Sequence, residues 1–188
     1  GIRAEKYAIM QSIVKLMDNN AYDSAEAVIT RELLNQNNKL NEREEYFLYC
    51  YEAEIMYYNA LFDIGMASAK KALNLAEKLE NDTLIGSAQN LLGLQYMHLE
   101  TYTEAKVSFK KAIKLLPPKT LKELYSQRYH ALANLAEVYL YQNLPDSAAF
   151  YSQLAIVDAL EQGAIRGASF SYWSLAESEL LQNAPINA

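Results

Sequence analysis

The sequence predicts an all-α protein in which helix-turn-helix units stack into an α-α superhelix, a solenoid. Three columns of aromatic, small or apolar residues repeat at a common step of 40 positions, and such a fixed period is typical of stacked repeats. The columns are Tyr22, Phe62 and Tyr102; Ala25, Gly65 and Ala105; and Ile13, Ala53 and Gly93. Only 6 glycines and 4 prolines occur among 188 residues, which favours long helices over many short strands.

The clearest unit lies between Gly86 and Lys119. It contains, in order, Leu92, Gly93, Tyr96, Tyr102, Ala105, Phe109, Ala112 and Pro117. This order and spacing resemble one tetratricopeptide repeat (TPR), a two-helix unit that recurs along a solenoid. The resemblance implies that Gly93 allows a close helix approach, that Phe109 fills the gap between paired helices, and that Pro117 ends the second helix.

The period of 40 is longer than the usual TPR period of 34 residues. Six extra residues correspond to about one and a half additional helical turns per repeat. The chain therefore resembles the long-helix variant found in bacterial signalling and regulatory proteins. We expect a single domain over residues 1–188, with repeats at about 6–40, 42–80, 82–118 and 119–162 and a partial repeat at 163–188.

Apolar periodicity and polar breaks predict the helices in order. The first carries Ile9, Ile13 and Leu16 and ends near Asp18–Asn20, and the second runs from about Tyr22 to just before Asn35. The next predicted elements are Glu42–Ala60, which is acidic in its first turn, Phe62–Leu79, a helix from a cap at Asn81 or Asp82 to Leu99, and Tyr102–Leu116. After Pro117 and Pro118 we predict Leu121–Tyr141, a turn at residues 143–146, a helix carrying Ala148 and Ala155, and Ala164–Asn183.

The repeat pattern changes towards the C-terminus. Glu179 stands where Tyr96 and Tyr139 stand in earlier units, and the last helix is apolar around Trp173 and Leu180. An outermost solenoid helix normally has a polar face. The last helix is either a solvating cap or part of an array that continues in a longer parent protein. We favour the second, with self-association through this end as a further expectation.

Charge and composition exclude some classes of partner. The net charge is −6 and the isoelectric point is near 5.0, whereas nucleic-acid binding requires a concentrated basic surface. No apolar run approaches the roughly 20 residues that span a bilayer. A single cysteine, Cys50, leaves the redox compartment undecided, and a cytoplasmic and a periplasmic location both fit the sequence.

No catalytic motif or metal-binding spacing occurs in the sequence. His98 and His130 lie near opposite ends of neighbouring leading helices, roughly 10–16 Å apart and too far to share a zinc ion. Lys106, Lys110 and Lys114 form a basic stripe on a trailing helix. We interpret it as a solvated outer face, with docking to an acidic partner or a membrane surface as the alternative. We predict no enzymatic activity, no cofactor and no metal.

The TPR resemblance implies a concave groove lined by the first helix of each repeat. The predicted groove residues are Phe47, Glu54, Tyr57, Tyr58, Asn90, Leu94, Met97, His98, His130, Glu137, Tyr141, Phe170, Trp173 and Glu177. This set contains no lysine or arginine, so it lacks the clamp with which chaperone-binding TPR domains hold a C-terminal carboxylate. Its rings and carboxylates suit a peptide with apolar anchors and basic groups.

The leading hypothesis is therefore a non-enzymatic module that binds a peptide or partner segment in this groove. The alternative is a regulatory or sensor domain of a larger bacterial signalling protein, which would act through self-association.

Overall fold

A computed structural model provides the structure and describes residues 2–35, 40–118 and 127–183, with side chains from residue 4 onwards. Within these ranges the chain forms nine helices and no strand. The helices are α1 (Ile2–Asp18), α2 (Tyr22–Leu34), α3 (Glu42–Tyr58), α4 (Phe62–Lys78), α5 (Asp82–His98), α6 (Tyr102–Leu115), α7 (Arg128–Tyr141), α8 (Pro145–Glu161) and α9 (Ile165–Gln182).

Each helix packs against the next one in the chain, so the molecule is a row of helical hairpins. We call the odd-numbered helices leading and the even-numbered helices trailing. Leading helices also contact one another, α3 with α5, α5 with α7 and α7 with α9, whereas successive trailing helices make no comparable contacts among the described residues. The leading helices therefore lie on the inner side of the curve, and the predicted all-α solenoid is confirmed.

The helix boundaries follow the repeat columns. Trailing helices α2, α4 and α6 begin at the three predicted aromatic residues, and most predicted ends lie within two residues of the structure. Asn81 caps α5, because its side chain accepts a hydrogen bond from the backbone N–H of Leu84 at 3.1 Å. The division into numbered repeats stays a prediction.

Of the predicted helix Leu121–Tyr141, the described residues show the part from Arg128 to Tyr141. Residues 119–126 lie outside the described part of the chain, and α7 begins at Arg128 because Gln127 has extended backbone angles, φ −106° and ψ 158°. The Gln127 backbone N–H donates a hydrogen bond to Nδ1 of His130 at 3.2 Å. His130, predicted as a groove residue, thus satisfies an N–H group at the helix start.

The role predicted for Gly93 is confirmed by its surroundings. A Cβ atom at this position would lie 2.6 Å from the ring of Phe109, and Phe109 is fully buried between α5, α6 and α7. Only a residue without a side chain lets the ring occupy this space.

Every turn from a leading to a trailing helix has the same geometry. One residue adopts a left-handed conformation, with φ of 57° at Asn20, 57° at Ala60, 60° at Glu100 and 54° at Asn143. The next backbone N–H then bonds back five residues, as Leu61 does to Met56 at 2.8 Å. This is the Schellman motif, in which glycine usually occupies the left-handed position.

Ala60→Gly should raise the free energy of unfolding by about 0.5–1 kcal/mol, because glycine relieves the left-handed strain. Ala67→Gly is the matched control, since Ala67 is exposed in the middle of α4 and this change should lower the free energy by about 1 kcal/mol. Chemical denaturation measures both variants. Destabilisation by Ala60→Gly would contradict the turn assignment.

Candidate functional site

All of the predicted groove residues belong to leading helices, which line the inner face of the solenoid, and their exposure varies from helix to helix. Tyr58, His130, Tyr141, Phe170 and Trp173 are exposed. Phe47, Glu54, Tyr57, Leu94, His98, Glu137 and Glu177 are half-buried, while Asn90 and Met97 are buried. Side chains from α3, α5 and α7 form the central part of this face, and those of α9 form its C-terminal part.

Two of the predicted groove residues are covered by neighbouring helices. Met97 is 1% exposed and packs in the core beside Phe109. One residue along a helix turns a side chain by about 100°, so a one-residue error in the predicted phase selects a buried side chain. Asn90 is 3% exposed, and its Oδ1 accepts a hydrogen bond from Nδ2 of Asn134 at 3.0 Å. Neither side chain is available to a ligand in this conformation.

Aromatic pairs connect successive repeats at the turn edge of the solenoid. Each pair joins the end of a leading helix to the start of the trailing helix before it. The pairs are Tyr58 on Tyr22 (ring centroids 5.0 Å apart), His98 on Phe62 (5.0 Å) and Tyr141 beside Tyr102 (6.1 Å). We call these the turn-edge pairs. They give Tyr58 and Tyr141 a structural role, although both remain about half exposed, at 53% and 50%.

Each of these two tyrosines also pairs with a glutamate one helical turn earlier. The hydroxyl of Tyr141 donates to Oε1 of Glu137 at 2.6 Å, and Tyr58 is hydrogen-bonded to Glu54. Burial and the neighbouring carboxylates raise the pKa of Tyr58 to about 12 and raise that of Tyr141 as well. Both phenols therefore stay protonated at neutral pH.

Glu54 has a strongly shifted ionisation. Burial raises the pKa of Glu54 to about 7; the hydrogen bond from Tyr58 acts in the opposite direction, and the charge of Asp18 on α1 raises it further. Tyr51 on the same helix lies within its electrostatic reach. In the part of the chain that the structure describes, Glu54 and Glu137 form no salt bridge.

Tyr57 connects the two glutamate–tyrosine pairs. Its ring packs edge-on against His98 of α5, with centroids 5.0 Å apart. Burial raises the pKa of Tyr57, and the charge of Glu137 on α7 raises it further, so the phenol on α3 lies within electrostatic range of α7. The result is one continuous area, which we call the inner aromatic–acidic surface: Glu54, Tyr57, Tyr58, His98, Glu137 and Tyr141.

Sequence reasoning missed several residues beside this surface. Tyr51 stacks on Phe47 at 6.4 Å, and Tyr22 covers one face of Tyr58. The sequence did mark Tyr22, because Tyr22, Phe62 and Tyr102 repeat every 40 residues. It could not show which residue Tyr22 contacts, because that depends on how successive repeats are aligned. Phe47 already has a cation over its ring, the Arg43 guanidinium at 5.5 Å.

Other kinds of site are not found in the described ranges. No group of three or more His, Cys, Asp and Glu residues there is placed to hold a metal ion, and no helix there is long and apolar enough to cross a bilayer. Cys50 is a free, buried thiol whose pKa is raised to about 12 by burial.

No protein-family model and no curated protein matches the sequence. Solved structures do match over 94–95% of the chain. One is a signal transduction ATPase with numerous domains (STAND) from Pyrococcus horikoshii that has a tetratricopeptide repeat sensor, with a TM-score of 0.71 and 19% identity. The chain has the tetratricopeptide-repeat fold. It spans 27% of the length of that STAND protein.

Two further TPR-like neighbours come from Podospora anserina. Both are structures of a putative kinesin light chain with nearly identical TPR-like repeats, one of them a Q17M form, with TM-scores of 0.68 and 0.65 and identities of 13% and 11%. This chain covers 87% and 89% of their lengths. At these identities the likeness is one of fold.

The pKa of Glu54 generates a prediction about stability. The carboxyl pKa is raised from 4.5 to about 7 in the folded state, so between these values the folded chain holds a proton that the unfolded chain has released. Stability is therefore lost as pH rises through about 7. From pH 5 to pH 8, the free energy of unfolding of wild type should fall by about 1–3 kcal/mol more than that of Glu54→Gln. This range allows for solvent screening, because Glu54 is partly exposed.

Denaturation at the two pH values measures this difference. Glu77→Gln, which changes an exposed residue of α4, is the control and should follow the wild-type pH dependence. Equal pH dependence in wild type and Glu54→Gln would show that Glu54 ionises normally in the folded protein.

Proposed function

We propose that this TPR-like chain is a protein-interaction module whose inner face binds a segment of a partner protein. The observation that carries the proposal is the inner aromatic–acidic surface, where tyrosine hydroxyls pair with two carboxylates that form no salt bridge in the described structure. TPR-like solenoids present such inner faces for binding. A partner would then supply the missing opposite charge.

The chemistry of this surface specifies the kind of segment. Lysine or arginine would neutralise Glu54 and Glu137 and could lie over the neighbouring tyrosine rings. Half-buried Leu94 belongs to α5, the helix that packs against both α3 and α7, and suits an apolar anchor. An acidic segment or a C-terminal carboxylate would meet like charge, because no lysine or arginine belongs to the surface.

The positions of the two glutamates suggest a spacing for the basic groups. Glu54 lies on α3 and Glu137 on α7, with α5 between them. Packed helices have axes about 8–10 Å apart, so two steps cover about 16–20 Å. An extended segment rises about 3.3 Å per residue, and we infer two basic residues roughly five or six positions apart.

A second candidate function is a sensor domain of a larger signalling protein that acts through self-association. Two observations favour it. The chain matches, over 95% of its length, a STAND protein that has a TPR sensor. In addition, α9 exposes Phe170, Tyr172, Trp173 and Leu180, and a large exposed apolar area is typical of an interaction site.

A displayed library of random 12-residue peptides tests the first proposal. Wild type should select peptides that combine Lys or Arg with aromatic or aliphatic residues. The double variant Glu54→Gln, Glu137→Gln should bind the selected peptides at least about tenfold more weakly, because two charge-assisted contacts are lost. These changes keep both side-chain shapes, whereas truncating Tyr58 or Tyr141 would also remove a turn-edge pair.

The matched control is Glu77→Gln, Glu104→Gln, which removes two exposed carboxylates from the outer helices α4 and α6 and should leave affinity unchanged. A library that yields no binder, or binders that do not distinguish the inner double variant from wild type, would contradict the proposed binding surface.

Sedimentation velocity tests the second candidate. If α9 mediates self-association, the chain should form dimers or larger species at roughly 100 μM, and Trp173→Glu with Leu180→Glu should convert it to a monomer. Far-ultraviolet circular dichroism verifies that the variant is folded. A wild-type monomer at this concentration would remove the self-association hypothesis.

A further inference from the structure

The outer faces of α6 and α8 differ in chemistry at equivalent repeat positions. The offset between these helices is 43 residues, as seen for Ala105 and Ala148. Each helix exposes residues spaced i, i+4 and i+7, which share one helical face. The equivalent residues are Val107, Lys111 and Lys114 on α6 and Phe150, Leu154 and Val157 on α8.

On α8 this face is apolar and open to solvent. Phe150, Leu154, Val157 and Leu160, which we call the α8 stripe, have exposed fractions of 55%, 40%, 54% and 49%. Single exposed apolar residues are normal, but a continuous stripe of large ones on one helix face indicates a contact surface. Packing within the solenoid does not explain it, since these side chains point away from the core.

On α6 the face is cationic. Lys110, Lys111 and Lys114, which we call the α6 lysines, are all exposed. Within the described ranges none of them forms an ion pair. Lys106, which the sequence placed in the same stripe, is engaged elsewhere: its Nζ donates to Oε1 of Gln142 at 2.8 Å.

The two faces lie side by side on the outer surface. Nε2 of Gln162, just after α8, donates to the backbone carbonyl of Pro118, just after α6, at 2.7 Å. Nearer the other ends of these helices, Tyr139 of α7 lies between them. Its ring packs 5.4 Å from Lys106 of α6 and stacks 5.5 Å from Tyr151 of α8. The α6 lysines and the α8 stripe therefore form two adjacent, roughly parallel tracks.

We propose that these two tracks dock an amphipathic helix of a partner protein, with its apolar face on the α8 stripe and acidic residues along the edge that faces the α6 lysines. Charge complementarity selects the acidic edge. The stripe rises about 15 Å from Phe150 to Leu160, or nearly three helical turns, which matches a short helix laid alongside. This surface is on the opposite side from the inner aromatic–acidic surface and prefers the opposite charge.

The charges around α8 favour a protein helix over an anionic membrane. Asp146 and Glu161 are exposed at the two ends of α8, where they would meet the headgroups of a flat anionic bilayer. A partner helix can place uncharged or basic residues opposite these two carboxylates, whereas a uniformly anionic bilayer cannot.

The repeat itself supplies a substitution that the fold tolerates. Leu154→Lys with Val157→Lys gives α8 the residues that α6 carries at the equivalent positions, Lys111 and Lys114. The double variant therefore removes the apolar stripe with side chains that this fold already holds at those positions. Lys111→Glu with Lys114→Glu reverses the neighbouring charge and leaves the stripe intact.

The probe is a fluorescein-labelled, 18-residue amphipathic helix with Leu on one face and Glu along one edge, compared with the same peptide carrying Lys for Glu. Fluorescence anisotropy should show binding of the Glu peptide by wild type and binding at least about tenfold weaker by either double variant. Any binding of the Lys peptide should be the same for wild type and both outer-face variants. Glu54→Gln with Glu137→Gln should bind the Glu peptide as wild type does, which separates this proposal from the inner-face one.

Failure of the Glu peptide to bind wild type, or equal binding to wild type and both outer-face variants, would overturn the proposal. Co-sedimentation with vesicles of phosphatidylcholine and phosphatidylserine in a 3:1 ratio is the competing measurement. Vesicle binding that disappears in the outer-face variants would assign the tracks to a membrane and would also overturn it.

Discussion

The architecture depends on how closely the helices approach one another. At Gly93 a side chain would collide with Phe109, and at Gly65 it would lie 2.6 Å from the amide of Gln95. Gln95 is fully buried and uses that position to donate from Nε2 to the backbone carbonyl of Ala53 at 3.0 Å, which joins α5 to α3. Small residues thus leave room for the large side chains that connect one repeat to the next.

Close approach also determines the chemistry of the inner face. Because the leading helices contact one another, Glu54 is desolvated by its neighbours, and its pKa rises to about 7. The turn-edge pairs fix the tyrosine rings beside the carboxylates. Features that hold the repeats together therefore also orient the candidate binding groups, so charge-removing substitutions separate binding from stability better than truncations do.

Periodicity in the sequence predicted the positions of the helices, which depend on residue spacing. It missed the turn conformations, the start of α7 and the burial of Met97, which depend on particular contacts. The trailing helices start where the 40-residue columns placed them. The left-handed turns were hidden, because Ala60 and Glu100 occupy positions that usually hold glycine. The start of α7 depends on the hydrogen bond from Gln127 to the His130 ring, and no propensity encodes that. The predicted groove residues all lie on leading helices, but Met97 is buried, because the predicted phase of that helix was off by about one residue.

The two proposed surfaces show why the net charge is a poor guide to partners here. A net charge of −6 would suggest that the chain repels acidic proteins. The outer side of α6 nevertheless presents exposed lysines, whereas the inner face of the solenoid presents Glu54 on α3 and Glu137 on α7. A helical layer separates these groups, and at physiological ionic strength charges more than about 8 Å apart are largely screened from each other. Each face can therefore act on its own local field, so a basic segment inside the curve and an acidic helix outside it could occupy the same solenoid without competing for one site.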